Sequence, residues 1–378
     1  MKPERCENTG VPYLDHAATT PMRPEVWEAM APFAHELFGN ASGAHRYARQ
    51  AKNAYEEARE RAAAVLGCGA REIVFTSGGT EADNLAIKGR ALREGRGGIV
   101  ISQVEHEAVI EAAEFCERLG SPVYAVAVDP QGRVDPTQVS AHVNDDTAVV
   151  SVMAANNETG VIQPVREIVD AVAGRAPVHT DAVQAFNSTD VNVEALGVDM
   201  LSLSAHKFGG PKGVGLLYVR DGLSLEAVIH GGGQELGRRS GTSNVMGAVG
   251  MVVAMELAAA DRTGFQRRVG EARDRFVQGL AGVATPTIEK VDVLASHAHL
   301  RFPGVRNESL LIRLDRDGLA VSVGSACASG AATVSHVLTA MGVAPEAARE
   351  SLRFSFGWTN QAEDGDEAAR VVLAALDR

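Results

Sequence analysis

Three observations in the sequence predict an α/β protein built on a mostly parallel central sheet, with helices on both faces and a smaller α+β domain attached. From Glu72 onward, short apolar runs alternate with helical stretches, and repeated βα units of this kind make parallel sheets covered on both sides. An apolar run over 245–260 and a charged helical stretch over 262–280 then carry the chain out of that sheet. Beyond them, shorter strand signals mix with helices. The expected organisation is a large domain over residues 15–260 and a small domain made of residues 1–14 and 261–378.

Taken in order, residues 13–21 form a polar, turn-rich stretch after an irregular start, and 24–33 read as a helix. A loop over 38–45 precedes a helix over 47–66, rich in the strong helix formers Ala, Glu and Arg. Runs of β-branched and other apolar residues mark strands over 73–76, 98–102, 123–128, 148–154, 178–181, 200–205 and 215–219. Helices are expected between them over 80–89, 106–119 and 164–173. The run over 245–260 is interrupted by Glu256 and is too short to span a bilayer comfortably, so it reads as a buried helix. The small domain should contain strands over 298–302, 319–323 and 352–356.

The 378 residues suffice for two domains with well-buried cores, and 45% apolar with 22% charged residues describes an ordinary globular chain. A balance of 36 basic against 48 acidic residues gives a formal charge of −12, which argues against nucleic acid or an anionic membrane as the main partner. The N-terminus lacks an apolar secretory core, so a cytoplasmic location is expected. Four scattered cysteines, Cys6, Cys68, Cys116 and Cys327, contain no C-x-x-C pair, so neither a metal site nor a disulfide framework is expected.

Chemistry concentrates where the strands end, which is where parallel sheets bind ligands. Ser77-Gly78-Gly79-Thr80-Glu81 joins a strand to a helix, and its glycines suit either an anion cradle of backbone N–H groups or a plain capped helix. Its spacing fits neither dinucleotide nor P-loop motifs, and 209–213 lacks the Ser or Thr that a P-loop needs after Lys212. Asp181 ends a strand, with Gln184 one helical turn on; the carboxylate suits a protonated pyridine nitrogen, or caps a helix. His106 follows a strand, where an imidazole either packs or works on a ring or a proton. Asn156-Asn157-Glu158 follows another.

The run 198–207 ends at Ser204-Ala205-His206-Lys207 and a Gly/Pro turn, a suitable place for a reactive amine. In extended geometry Ser204 and His206 face one side and Lys207 the other. Cys327 lies among small residues in 324–330, unusual company for a packing cysteine, whereas Cys116 and Cys68 sit on helices. Arg353 lies on a strand where Leu352, Phe354 and Phe356 take the opposite face.

In combination these motifs resemble the class V, fold-type I pyridoxal-phosphate enzymes, and among them the NifS/IscS-type cysteine desulfurases. The resemblance runs over nearly the whole chain, through residues 13–21, 76–81, 105–106, 156–160, 181–184, 204–207, 231–235, 239–242, 324–327 and 353–355. It implies pyridoxal 5'-phosphate as cofactor, with Lys207 bonding it as a Schiff base, Asp181 pairing with its ring nitrogen and Gln184 with its ring hydroxyl. His106 would stack on the ring; Gly79, Thr80, Ser204 and His206 would hold the phosphate, with Thr242 reaching it from the second subunit of a homodimer. Asn157, which would also contact the cofactor, and Arg353 would orient L-cysteine, and Cys327 would take its sulfur as a persulfide, leaving alanine. A protein sulfur acceptor or iron–sulfur scaffold is the implied partner.

The sequence departs from the family at Leu236, where many relatives carry arginine, and at 331–336, which lack a usual Leu-Glu-Pro. It also ends at Arg378, without the extended tail that relatives use to dock a scaffold. Rival readings are a selenocysteine lyase, a serine–pyruvate-type aminotransferase and a silent sulfur-transfer scaffold. The Gly-Ser-Ala-Cys motif at 324–327 favours the desulfurase, because transamination needs no thiol.

Overall fold

The computed structural model describes residues 10–95, 97–324 and 334–377. Seven strands form the large sheet: β1 (Ile73–Thr76), β2 (Gly98–Ser102), β3 (Val123–Val126), β4 (Thr147–Ser151), β5 (Val178–Asp181), β6 (Met200–Ser204) and β7 (Gly215–Val219). They lie in the order β1-β7-β6-β5-β4-β2-β3, and β7 alone runs against the rest. All but β3 are buried along their whole length, and most read as largely apolar runs; β5, with buried His179, Thr180 and Asp181, is the exception. β3, at the edge, exposes Tyr124 and Ala125 and stops at Val126 rather than at residue 128.

Side-chain alternation divides each strand between two cores. Ile99, Ile101, Met200 and Leu217 face helices Gly79–Arg93 and Glu107–Arg118. Val100, Val150, Leu201, Leu203 and Leu216 face the opposite layer, with helices Arg46–Leu66, Val165–Val172 and Val245–Ala260. Helix Arg46–Leu66 closes at Gly67, whose φ of 75° is the left-handed conformation glycine adopts without strain. Helix Val245–Ala260 packs against both Arg46–Leu66 and Pro24–Met30, and its Glu256 is neutralised by Arg61 at 2.7 Å. The helix expected over 24–33 is broken in two, with a second turn at Pro32–His35, because Pro32 has no N–H to continue the first.

The second sheet is antiparallel, in the order β10-β9-β8, from β8 (Thr285–Pro286), β9 (His297–Arg301) and β10 (Ser351–Ser355). Helices Arg262–Gly279, Asn307–Arg316 and Ala362–Leu376 flank it over a core in which Phe276 and Phe354 meet at 4.6 Å. Residues 319–323 do not form the expected strand. Ser322 exchanges a single pair of backbone hydrogen bonds with Arg353, at 3.1 and 2.7 Å, and Gly324 then turns away at a φ of 94°. Leu14 is buried in this second core, and Ser355 N–H donates to its carbonyl at 2.8 Å. Residues 14–16 therefore extend the β10 edge, and the segment after them runs to the large sheet. Among the described residues, no helix is long and apolar enough to cross a membrane.

Candidate active site

Because β7 alone is reversed, the carboxyl ends of the other six strands share one edge of the sheet with the start of β7. After β1, the backbone at Gly78 and Gly79 lies directly against that start. A Cβ on Gly215 would sit 2.6 Å from the Gly78 carbonyl carbon, and one on Gly79 would sit 2.9 Å from Val183 and 3.5 Å from the Ser204 Cβ. At Gly215 only glycine permits this approach to backbone, and it brings the first turn of helix Gly79–Arg93 close to Ser204. Glu81, in the same turn, is neutralised by Arg239 at 2.7 Å and accepts the Ser77 N–H at 2.8 Å.

β6 ends at Ser204, and Ala205–Lys207 is a 3₁₀ turn rather than a continuation of the strand. The extended alternation expected for Ser204, His206 and Lys207 therefore stops at Ser204, and the tightened turn sets the directions of the other two. Lys207 Nζ donates to the Ala17 carbonyl and, at 2.9 Å, to that of Ala18. Gln184 Nε2 donates to the same Ala17 carbonyl at 2.8 Å. His206 meets Thr19 Oγ1 at 3.1 Å, and burial, with Lys207 and Lys212 nearby, lowers its pKa to about 4. The turn-rich segment after Leu14 is thus the floor on which the lysine rests. A narrow crevice lined by Ala17, Gln184, Lys207, His297, Gly357 and Trp358 leads to it.

Asp181, 6% exposed, accepts the Val183 N–H at 2.9 Å in a local turn, with no helix for it to cap. Burial raises its pKa, and the Val183 N–H and the charge of Lys207 oppose that rise. His106 Nδ1 accepts the Ala108 N–H at 3.0 Å, capping helix Glu107–Arg118 and leaving the neutral ring's proton on Nε2. Behind Asp181 lies a group that the sequence did not reveal. His179 holds Ser151 Oγ at 2.8 Å and Ser202 Oγ at 2.9 Å, and its Nε2 is 3.7 Å from Asp83 Oδ1. Glu105, fully buried, accepts the Met153 N–H at 2.9 Å, and burial pushes its pKa up to about 8. His179 precedes Asp181 by two residues on one strand face, the one signal from which it was legible. Asp83, within an Ala/Leu helix, reads as an ordinary surface polar residue.

From the second sheet, Arg353 projects away from Leu352 and Phe354 and is 2% exposed. It donates to Asp15 Oδ1 at 2.8 Å and to the Asn157 carbonyl at 2.9 Å, and its Nε is buried without a partner among the described residues. Cys327 lies outside the described residues. The residues flanking its segment, Gly324 and Ser335, both meet Glu158: Ser335 Oγ donates to Glu158 Oε2 at 2.6 Å, and a Cβ on Gly324 would lie 2.7 Å from that oxygen. Thr242 is exposed on a separate loop, where the neighbouring Gly241 N–H donates to Gln234 at 2.9 Å. Cys68 and Cys116 suit packing roles, since burial pushes the Cys68 thiol up to about 12 and raises that of Cys116.

A side-chain-free anion cradle, an amine and a buried carboxylate on one sheet edge fit a phosphate, an aldehyde and a ring nitrogen, the three functional groups of pyridoxal phosphate. A family model described as aminotransferase class-V matches residues 12–367. A cysteine desulfurase IscS of Dictyoglomus turgidum is 45% identical over 373 residues, covering 97% of this chain and 94% of that protein. Among solved structures, a NifS-like protein superposes with a TM-score of 0.91 at 37% identity over 97% of this chain and 99% of its own. A structure described as SspA in complex with cysteine has a TM-score of 0.81 at 35% identity, over 91% of this chain and 98% of its own. Agreement at this level along both sheets means that the chain belongs to the class-V aminotransferase family, among its NifS/IscS-type cysteine desulfurases.

Proposed function

We propose that this chain is a pyridoxal-phosphate-dependent cysteine desulfurase that takes sulfur from L-cysteine, releases L-alanine and holds the sulfur as a persulfide on Cys327. The observation that carries the reading is the meeting of Lys207 and Gln184 on the Ala17 carbonyl beside buried Asp181. Bound pyridoxal phosphate supplies an electron sink for a carbanion at the substrate's α-carbon. Lys207 is the amine that holds the cofactor and, once freed, accepts the Cα proton. Asp181 would pair with the ring nitrogen, Gln184 would contact the ring hydroxyl and His106 would stack on the ring. Gly79, Thr80, Ser204 and His206 take the phosphate, with Thr242 supplied by a second copy in a homodimer.

Arg353 and Asn157 orient the substrate carboxylate, and the unpartnered Arg353 Nε supports this role. The Cys327 thiolate then attacks the substrate sulfur. A sulfur–sulfur bond forms as the substrate's carbon–sulfur bond breaks, and the released electron pair remains on the substrate carbon, which is protonated and leaves as alanine. His106, with its proton on Nε2, is the proton carrier. The contacts of Gly324 and Ser335 with Glu158, next to Asn157, support delivery of the thiol to this place. The persulfide then passes to an acceptor protein, with iron–sulfur cluster assembly the use this reading favours and the cytoplasm the expected setting. Lys207→Ala should abolish the visible absorbance of the bound cofactor and slow alanine formation by on the order of a thousandfold or more. Alanine formation at the parent rate would refute the reading.

A further inference from the structure

Asp83 lies in helix Gly79–Arg93, five residues into the element whose first turn forms the anion cradle. It is 1% exposed, and its Oδ1 has no hydrogen-bond partner. Its other link is to Ser202, whose hydroxyl also meets His179 Nε2 at 2.9 Å, while Nδ1 meets Ser151 Oγ at 2.8 Å. Burial depresses the His179 pKa to about 3, so this ring is neutral at physiological pH and gives Asp83 no counter-charge. The titratable groups facing Asp83 are His179 and Asp181 from β5 and Glu105 from the turn after β2, and none is a cation.

Asp181, by contrast, has the Lys207 ammonium and the Val183 N–H on its side. Two carboxylates in one dry volume cannot both be ionised cheaply, and the negative charge settles on the one with donors and cations. Ser202 can serve one oxygen of an Asp83 carboxylate, but Oδ1 would stay charged and buried with no donor, whereas a neutral acid leaves there only an unpaired carbonyl oxygen, a much smaller cost. We propose that Asp83 is a protonated, neutral carboxylic acid behind the cofactor site, a positioning residue whose O–H orders the chain Ser202–His179–Ser151 and confines the negative charge to Asp181. In that chain Asp83 donates to Ser202 Oγ, Ser202 donates to His179 Nε2, and Nδ1–H donates to Ser151 Oγ. The role rests on the proposed function, because it sets which acid faces the cofactor's ring nitrogen.

The test compares infrared spectra of the holoenzyme and its isosteric variant Asp83→Asn at pH 7, with near-ultraviolet circular dichroism to verify folding. The parent should show the carbonyl band of a protonated acid that the variant lacks. Because one neutral group replaces another, the pH midpoint of the cofactor's visible absorbance should move by less than about half a unit, against about a unit or more if a buried charge were removed. Absence of a protonated-acid band attributable to Asp83, or a larger shift of that midpoint, would overturn the proposal. Cofactor-free protein carries the same infrared signature, so failure of the desulfurase reading would be separately visible. If Asp83→Asn does not fold, the parent band's persistence from pH 6 to 8 in protein labelled at aspartate carboxyl carbons decides the same point: persistence supports a neutral acid and its absence contradicts it.

Discussion

Arg353 was legible in the sequence because a lone arginine opposite Leu352, Phe354 and Phe356 on one strand has to leave the core on the other face. Its partner Asp15 was not, since 338 residues separate the two and only the folded chain brings them to 2.8 Å. The same asymmetry separates Asp181 and Lys207, which stand at strand ends, from Asp83, whose burial is decided by the tertiary packing of a helix. An arginine fork matches a carboxylate with two parallel donors, which the single ammonium of lysine cannot reproduce. Arg353→Lys should therefore raise KM for cysteine by roughly tenfold to a hundredfold, the equivalent of about 1.4–2.7 kcal/mol. Its cofactor spectrum should stay that of the parent, and an unchanged KM in steady-state kinetics would remove Arg353 from substrate binding.

At the scale of elements, most strands of the large sheet were readable because burial on both faces leaves little room for polar residues, β5 with its His179, Thr180 and Asp181 being the exception. Short irregular elements were not. Residues 319–323 have a strand's composition but pair through Ser322 alone, and Ala205–Lys207 tightens into a 3₁₀ turn that residue type does not announce. The loop following β7 shows how local cost and tertiary anchoring trade off. Glu235 and Leu236 take φ values of 52° and 58°, unusual for non-glycine residues. Glu235 is held there by Arg59 at 2.7 and 2.8 Å, Tyr55 at 2.7 Å and the Phe75 N–H at 2.9 Å. Leu236, by contrast, is 60% exposed. Glu235→Gln leaves the buried Arg59 with only Glu56, at 3.1 Å and half-exposed, as counter-charge and should cost about 3 kcal/mol, readable as a lower urea midpoint with an unchanged slope. A change below about 1 kcal/mol would mean that the network does not hold the loop.

For the whole molecule, the division of labour follows the two sheets. The large one presents the anion cradle, Asp181 and Lys207 along a single edge, because six of its seven strands point the same way. The small one contributes Arg353, and Gly324 and Ser335, on either side of the stretch that includes Cys327, both lie beside Glu158. The turn-rich segment beginning at Leu14 joins them, paired with Ser355 on one side and receiving Lys207 on the other. On this account the lysine generates the carbanion, and the cysteine determines that the product is transferable sulfur. A single-turnover incubation of the holoenzyme with L-cysteine, measuring alanine and Cys327-bound sulfur together, tests that claim most directly. Equal amounts of the two are expected from the parent, with no Cys327-bound sulfur and no sulfide release from Cys327→Ala. Sulfide release by Cys327→Ala at the parent rate, or alanine formed while sulfur accumulates on a different cysteine, would contradict it.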